Sequence, residues 1–532
     1  MDLFTSSSKL NHRELARAVI CSLLFILSGC QIPNLRGPQL NQAVPETFNG
    51  VATEENSSQV PIEEFFGDPL LIALIDQAMV GNQELRILGE EIQIANNEIW
   101  KRSGAYLPFL GIGGGAGLEK PSFFTPGGAS EAQLLAPNGS HFPNPLPDFM
   151  GNVTLSWQID IWRQLRNARD AAGLRYLGTE QGRNFVITQL VAEMADKYFM
   201  LMALDKRLEN LNRIIALQED SLQKAAAKKA FAQETELAVS RFRAEIRRNQ
   251  AEKLIVLQQI IQTENRINFL CGRFPQPVQR NSENFFDLNL HQLSLGVPSE
   301  LLLNRPDIRQ AELELQATGL DIKVARANFY PKVFIYSGVG WEAYNMKYLF
   351  STPDSLIYNI AGDVAAPLIN KRAIQADYMT ANARQLQALY DYQRTILQAF
   401  TEVINNVTKV QNYSNSIEFK KQQLESLETA VDVAGKLFNF ARIDYIDVLF
   451  AQRDLRDART QLIDTKQEQL AAIAYTYQAL GGGLIRFEYP DPTITIVQPE
   501  GDAVPPAAPG DDNAAMEPPP EAPPADDGNA NP

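Results

Sequence analysis

The chain has 532 residues, 45% of them hydrophobic, enough for one large domain or several ordinary ones. Its formal net charge is −15, and ten of the acids, with no Lys or Arg among them, fall between Glu488 and Pro532. Such a balance argues against nucleic acid as a partner, and Cys21, Cys30 and Cys271 are too few for a disulfide framework.

Lys9, Arg13 and Arg17 precede an apolar core running from Ala18 to Leu27. That core is too short to span a bilayer as a helix and matches the h-region of a secretory leader over residues 1–29. Leu27-Ser28-Gly29-Cys30 resembles a bacterial lipobox, which implies a covalent lipid on Cys30 as first residue of the mature chain. An ordinary signal peptide with an incidental cysteine is the alternative. Gln31 stands where Asp resembles an inner-membrane retention signal, so the outer membrane is the expected address. Cys271 is read as a small packed side chain rather than a reactive thiol.

Residues 30–61 are rich in Pro, Asn and Ser and are expected to be extended. From 63 to 104 apolar residues recur at spacings of three and four, as in Leu71, Leu74, Ile75, Ala78 and then Leu85, Leu88, Ile92, Ile99. That spacing predicts a helix, and Glu63, Glu64 and Asp68 suit its positive start. The period then changes to two. Between Asp148 and Trp162, Phe149, Val153, Leu155, Trp157, Ile159 and Ile161 alternate with Asn152, Thr154, Ser156, Gln158 and Asp160. This predicts a strand with one apolar and one polar face, longer than the roughly 9–11 residues needed to cross a membrane. The Gly-rich segment 105–119 before it is read as its hairpin partner, across a loop at 120–147. Its glycines belong to a strand, because a phosphate-cradling loop needs a helix directly after it and here a Pro-rich loop follows.

Residues 163–228 hold no Pro and keep a helical pattern, about 100 Å of helix at 1.5 Å per residue. The chain breaks at KKAFAQET (228–235), and a run about half as long, 235–271, ends at CGRFPQP. Then the design repeats. In LLLNRPDIRQAELELQ, Pro306 presets φ for a helix and Asp307 faces its positive end. Segments 328–344 and 356–370 alternate as strands, 371–438 is a second helix of about 100 Å, and a half-length helix runs from 445 to the glycines at 481–483. Arg163 maps onto Arg372 and Gly272 onto Gly481 with an offset of 209, and Pro108 onto Pro331 with an offset of 223. The chain is therefore a duplicated unit, 62–290 and 291–487, followed by a tail at 488–532 too poor in apolar residues to fold.

Each unit supplies a helix, two strands, a long helix and a half-length return helix. The expected fold class is mainly α with a membrane β-barrel part. Four strands cannot close such a barrel, for which about eight is the smallest number, and open strand edges cannot sit in lipid. Several chains must share one barrel. Two would give eight strands and three would give twelve.

LLLNRPDIRQAE, ARANFYPKV, DYIDVLFAQRDL and YQALGGG, with LSWQIDIWRQLRNA in the first unit, resemble the outer membrane efflux proteins of the TolC/NodT-like group. The resemblance implies a homotrimer with a 12-stranded outer membrane barrel on a periplasmic α-helical tunnel. It implies an exit duct for small molecules or ions, working with a periplasmic adaptor and an inner-membrane pump of the RND type, and no enzyme. The NRPDI form and the lipobox look more like the efflux-pump branch than the protein-secretion branch.

Asp447 follows the second tip turn, where acidic rings line the entrance in the family; a solvated helix surface is the competing reading. Phe450 stands where some relatives are acidic, and Ala238 is the first-unit counterpart of Asp447, so an apolar constriction at Phe450 replaces a second acidic ring. The tips at Ala232, Gln233, Ala441 and Arg442 are the implied adaptor contacts, with alanine where the family often has glycine. Tyr106, Trp157, Trp162, Tyr330, Trp341 and Tyr344 suit interfacial girdles or packing between subunits. His12, His141 and His291 lack the spacing of a metal site, and no cofactor is expected beyond the lipid. A lipid-anchored periplasmic adaptor or scaffold without a pore is the alternative function.

Overall fold

The computed structural model of the chain describes residues 32–37, 45–48, 55–136, 139–288, 290, 293–367, 371–440 and 442–483. Cys30, the leader, Ala441, His291 and the acidic tail lie outside these residues.

The helix expected over 63–104 is three pieces. A short turn, Ile62–Phe66, ends at Gly67 in the left-handed conformation, φ 63°. Asp68 then caps α1, Pro69–Gly81, by accepting from the Leu70 N–H at 2.9 Å. Asn82 caps α2, Gln83–Ala105, by accepting from the Leu85 N–H at 3.2 Å. A capping side chain gives the next turn's N–H groups an acceptor, so the backbone restarts while the apolar pattern runs on.

The strands are β1 Phe109–Glu119, β2 Leu146–Ile159, β3 Lys332–Ala343 and β4 Leu356–Ala365. They are shorter than expected at several ends for local reasons. The Leu107 N–H turns back to the Gly104 carbonyl, which delays β1. Asp160 accepts from the N–H groups of Leu165 and Arg166, at 3.0 and 2.9 Å, and so stops β2 before Trp162. The loop after β1 holds a short helix, Pro126–Glu131.

The long helices are α3 Gln164–Ala230, α4 Glu236–Leu270, α5 Pro306–Ala327, α6 Arg372–Asn439 and α7 Tyr445–Ala479. α3 packs against α2, α4, α5 and α7, and α6 packs against α5 and α7. Among the described residues α6 does not pack extensively on α2 or α4. The helices therefore follow the strands in order, with α2/α4 at one flank, α3 and then α5/α7 within, and α6 at the other flank. Helices of this length are stabilised by burying one stripe rather than by propensity. The main cluster draws Val191, Met194, Tyr198, Leu201 and Met202 from α3, Leu71 and Ile75 from α1, and Ile463 and Leu470 from α7. Cys271 belongs to it, and burial pushes its thiol pKa up, which keeps it protonated.

The duplication is visible in a joint at mid-height. In the first unit, Asn82 Nδ2 donates to the Leu270 carbonyl at 2.9 Å. In the second, Arg305 Nη1 donates to the Ala479 carbonyl at 2.9 Å. Gly272 and Gly481 stand just past the two half-length helices at φ 67° and 93°. A Cβ on Gly272 would collide with the Gly81 carbonyl, and one on Gly481 would meet the Asn304 carbonyl oxygen at 2.6 Å. Glycine is required twice over there, by the left-handed backbone and by the close approach.

Candidate functional site

The four strands form one antiparallel sheet in the order β1-β2-β3-β4, so the β2–β3 pairing joins the two units. The register aligns Ile112, Val153, Val339 and Tyr358 in one row across it. These are 90%, 39%, 49% and 81% exposed. Leu110, Leu118, Ile360 and Val364 share their face and are exposed too. The other face carries Asn152, Thr154, Ser156 and Gln158 from β2, Asn359 and Asp363 from β4, and Gly111, Gly113, Gly115 and Gly117 from β1. The amides lie over these glycines: a Cβ on Gly113 would meet Asn152 Oδ1 at 2.7 Å, and one on Gly338 would meet Asn359 Oδ1 at 2.7 Å, so a side chain there would displace the amide. An exposed apolar face backed by a polar, glycine-lined one is the pattern of a barrel with lipid outside and water within.

Aromatic clusters mark both ends of the sheet. At one end Trp157 Nε1 donates to the Tyr106 carbonyl at 2.9 Å, and Trp162 stacks on Tyr330 with centroids 4.6 Å apart. At the other, Trp341 meets Phe350 at 5.8 Å and Tyr344 meets Phe142 at 4.9 Å. Trp341 lies opposite Gly151, six residues from Trp157 along β2, a separation of about 20 Å.

The opposite end of the helices holds the two tip turns. The end of α3 is a Schellman motif: the Gln233 N–H donates to the Lys228 carbonyl at 2.9 Å and the Ala232 N–H to the Lys229 carbonyl at 3.0 Å. Ala232 occupies the left-handed position at φ 58°, where glycine is the unstrained choice. Replacing Ala232 with Gly is expected to stabilise this turn by about 1 kcal/mol. Slower hydrogen exchange at the Gln233 amide checks it; faster exchange there contradicts it. In the second turn the Arg442 N–H donates to the Leu437 carbonyl at 3.0 Å, the same closure.

A core of Ala225, Val239, Phe242, Phe438 and Val448 binds the two turns together. The Lys228 ammonium donates to the Phe438 carbonyl and lies 3.9 Å from the centroid of its ring. Sequence reasoning missed this latch, whose partners are 210 residues apart. Asp447 sits in the first turn of α7, exposed, and Phe450 lies one turn on, 53% exposed. Ala238, the counterpart of Asp447, is buried, so the two units differ in environment at this position as well as in residue. Phe231 and Phe440 are exposed at equivalent positions, ending α3 and α6.

Arg305 stands in the NRPDI stretch, whose pattern assigns it no role. It is 2% exposed, and its guanidinium forks onto Asp307 at 3.0 and 2.7 Å, reaches Glu402 at 3.0 Å and donates to the Ala479 carbonyl. Burial opposes its charge, but the two carboxylates outweigh burial and raise its pKa.

A strand sheet built for lipid, set on paired helices of about 100 Å, defines the class: an outer membrane channel protein with a helical extension. The model of the outer membrane efflux protein family matches residues 74–273 and 297–482, and the chain belongs to that family. It is the outer membrane exit duct of an efflux system. The cation efflux system protein CusC of Escherichia coli O6:H1 is 26% identical over 481 residues, 87% of this chain and 99% of its own. The solvent efflux pump outer membrane protein SrpC of Pseudomonas putida is 24% identical over 469 residues, 86% of this chain and 97% of its own. In fold, the open state of the Neisseria gonorrhoeae MtrE outer membrane channel superposes with a TM-score of 0.74 at 22% identity, covering 86% of this chain and 99% of that one. A crystal structure of CusC superposes with a TM-score of 0.73 at 24% identity, covering 84% and 100%. The family is one of channels, and its members work within efflux systems.

Proposed function

We propose that three copies close into a 12-stranded barrel on a helical tunnel, and that the tip turns gate it. One observation carries this reading: both flanks of the chain are open and apolar. β1 and β4 are unpaired edges on a lipid-type sheet, which bilayers do not tolerate. Leu254 and Ile261 on α4 are 67% and 50% exposed. Their counterparts on α7, Ile463 and Leu470, are 3% and 1% exposed, packed in the core cluster shared with α3. A neighbour's α6 laid on α4 would bury them in the same way. Three copies are favoured over two because a barrel of about eight strands is filled by its own side chains.

Asp447 would then form a ring of three carboxylates on the axis, with Phe450 beside it as an apolar constriction. Ala232, Gln233, Ala441 and Arg442 would meet a periplasmic adaptor, which links the duct to an inner-membrane pump of the RND type. A lipid on Cys30 would add an outer membrane anchor. Cargo choice would rest with the pump, since relatives named for cations and for solvents resemble this chain about equally.

Native mass measurement and single-channel recording of the detergent-extracted protein test both parts. A trimer with a pore is expected, and Asp447→Asn is expected to raise its conductance or weaken its block by divalent cations. A monomer without a pore overturns the duct. A pore unchanged by Asp447→Asn overturns the acidic ring alone.

A further inference from the structure

Within one chain, an ion-pair cluster bridges the two units. Arg175 on α3 reaches Asp321 on α5 at 2.5 Å and Glu314 at 3.2 Å. The two units superimpose in sequence without gaps inside these helices. α4 and α7 have the same length, Glu236 falling on Tyr445 and Leu270 on Ala479, and α2 begins at Gln83 where α5 begins at Pro306. The first correspondence carries Arg175 onto Arg384 of α6. The second carries Glu314 and Asp321 back onto Glu91 and Glu98 of α2.

All three charges are therefore repeated with their signs, but on the two open flanks. Arg384 and Glu91 are exposed, and neither makes a hydrogen bond or ion pair with the described residues. Among the described residues Glu98 is held only by Lys101 and Arg102 of its own helix, at 3.3 and 2.7 Å. Glu91 and Glu98 alternate with Ile87 and Ile94 along one stripe of α2, and those isoleucines are 54% and 67% exposed. A second, independent pair follows the same rule. Gln467 Nε2 of α7 donates to Asp196 of α3 at 3.1 Å. Its repeat is Gln258 on α4 and Asn405 on α6, both exposed, both without a hydrogen bond to the described residues, and complementary as donor and acceptor.

We infer that the seam between copies is a repeat of the seam within the chain: Arg384 of one copy pairs with Glu91 and Glu98 of the next. The partner is a second copy of this chain, and the inference rests on the closed ring proposed above. The repeat is not uniform. Arg207, which pairs with Asp464 inside the chain, corresponds to Ser416, and Asp464 corresponds to Ile255, 52% exposed. The lower seam between copies therefore relies on apolar contact, and the upper one carries the charge.

The test uses the full-length protein in outer membranes, with Glu91→Cys and Arg384→Cys together and a short bismaleimide as linker. Covalent dimers and trimers on a denaturing gel are expected, with none from either substitution alone. Arg175→Cys with Glu314→Cys, the pair inside the chain, should link without giving dimer or trimer bands. Unlinked chains whose native mass is trimeric would overturn the pair and leave the ring intact. A monomeric native mass would overturn both. In a second arm, Arg384→Glu is expected to lower the trimeric fraction in the native mass measurement, and adding Glu91→Arg is expected to restore it. An oligomer unaffected by Arg384→Glu also overturns the pair.

Discussion

Replacing Arg305 with Ala is expected to cost the folded chain about 3–5 kcal/mol. The side chain is almost fully enclosed and makes five bonds, to Asp307, Glu402 and the Ala479 carbonyl. Removing it leaves two carboxylates without their cation and the last turn of α7 without a donor. The loss is large because Asp307, 15% exposed, stays in place without its cation rather than because the pair is strong in itself; Glu402, 35% exposed, is partly hydrated and adds less. Arg305→Lys keeps the charge but not the fork, so an intermediate loss is expected. The counterpart in the first unit calibrates the effect. Asn82 makes the same helix-end bond and caps α2, but carries no charge, so Asn82→Ala should cost about 1–2 kcal/mol. Denaturation followed by helical circular dichroism in detergent measures all three. If Arg305→Ala unfolds no more easily than Asn82→Ala, the buried cation is not what holds the joint.

Placing Arg at Ile112 is expected to cost about 2–4 kcal/mol per copy if that row of the sheet lies near the bilayer midplane. Ile112 is 90% exposed and stands at the β1 end of the row shared with Val153, Val339 and Tyr358. In lipid its face has no water for a guanidinium. Thr154→Lys changes a residue of the other face, opposite Gly111, and should be tolerated because that face meets water. The amount of heat-resistant protein recovered from outer membranes distinguishes the two. Equal recovery of both variants would mean that the sheet does not span, and loss of Thr154→Lys alone would mean that its faces are assigned the wrong way round.

Much of this architecture was legible in the residues. The 3.6 and 2.0 periods are local properties of the backbone, so long helices and alternating strands can be read from spacing alone. The offsets of 209 and 223 followed from matched residues such as Gly272 and Gly481, and the structure gives them a cause: each sits past a helix end where no side chain fits. Other features were out of reach. The breaks at Asp68 and Asn82 hide beneath an unbroken apolar pattern, because a cap changes hydrogen bonding without changing which residues are apolar. At the tip, the position of Asp447 just after the turn is local and can be read from spacing, while the Lys228 latch onto Phe438 joins residues 210 apart and cannot.

The sequence by itself determined the duplicated unit and the lengths of its long helices, and it set the expectation that more than one chain shares the barrel, since four strands with open edges cannot stand in lipid. Only the tertiary structure decided that α3 lies between α2/α4 and α5/α7, and that Arg305 is a buried hub. The same holds for which charges are spent inside the chain and which are left on its flanks. The reason is physical: Arg305 and the Ala479 carbonyl are 174 residues apart, and no local period encodes which distant acceptor a side chain will find once the helices pack.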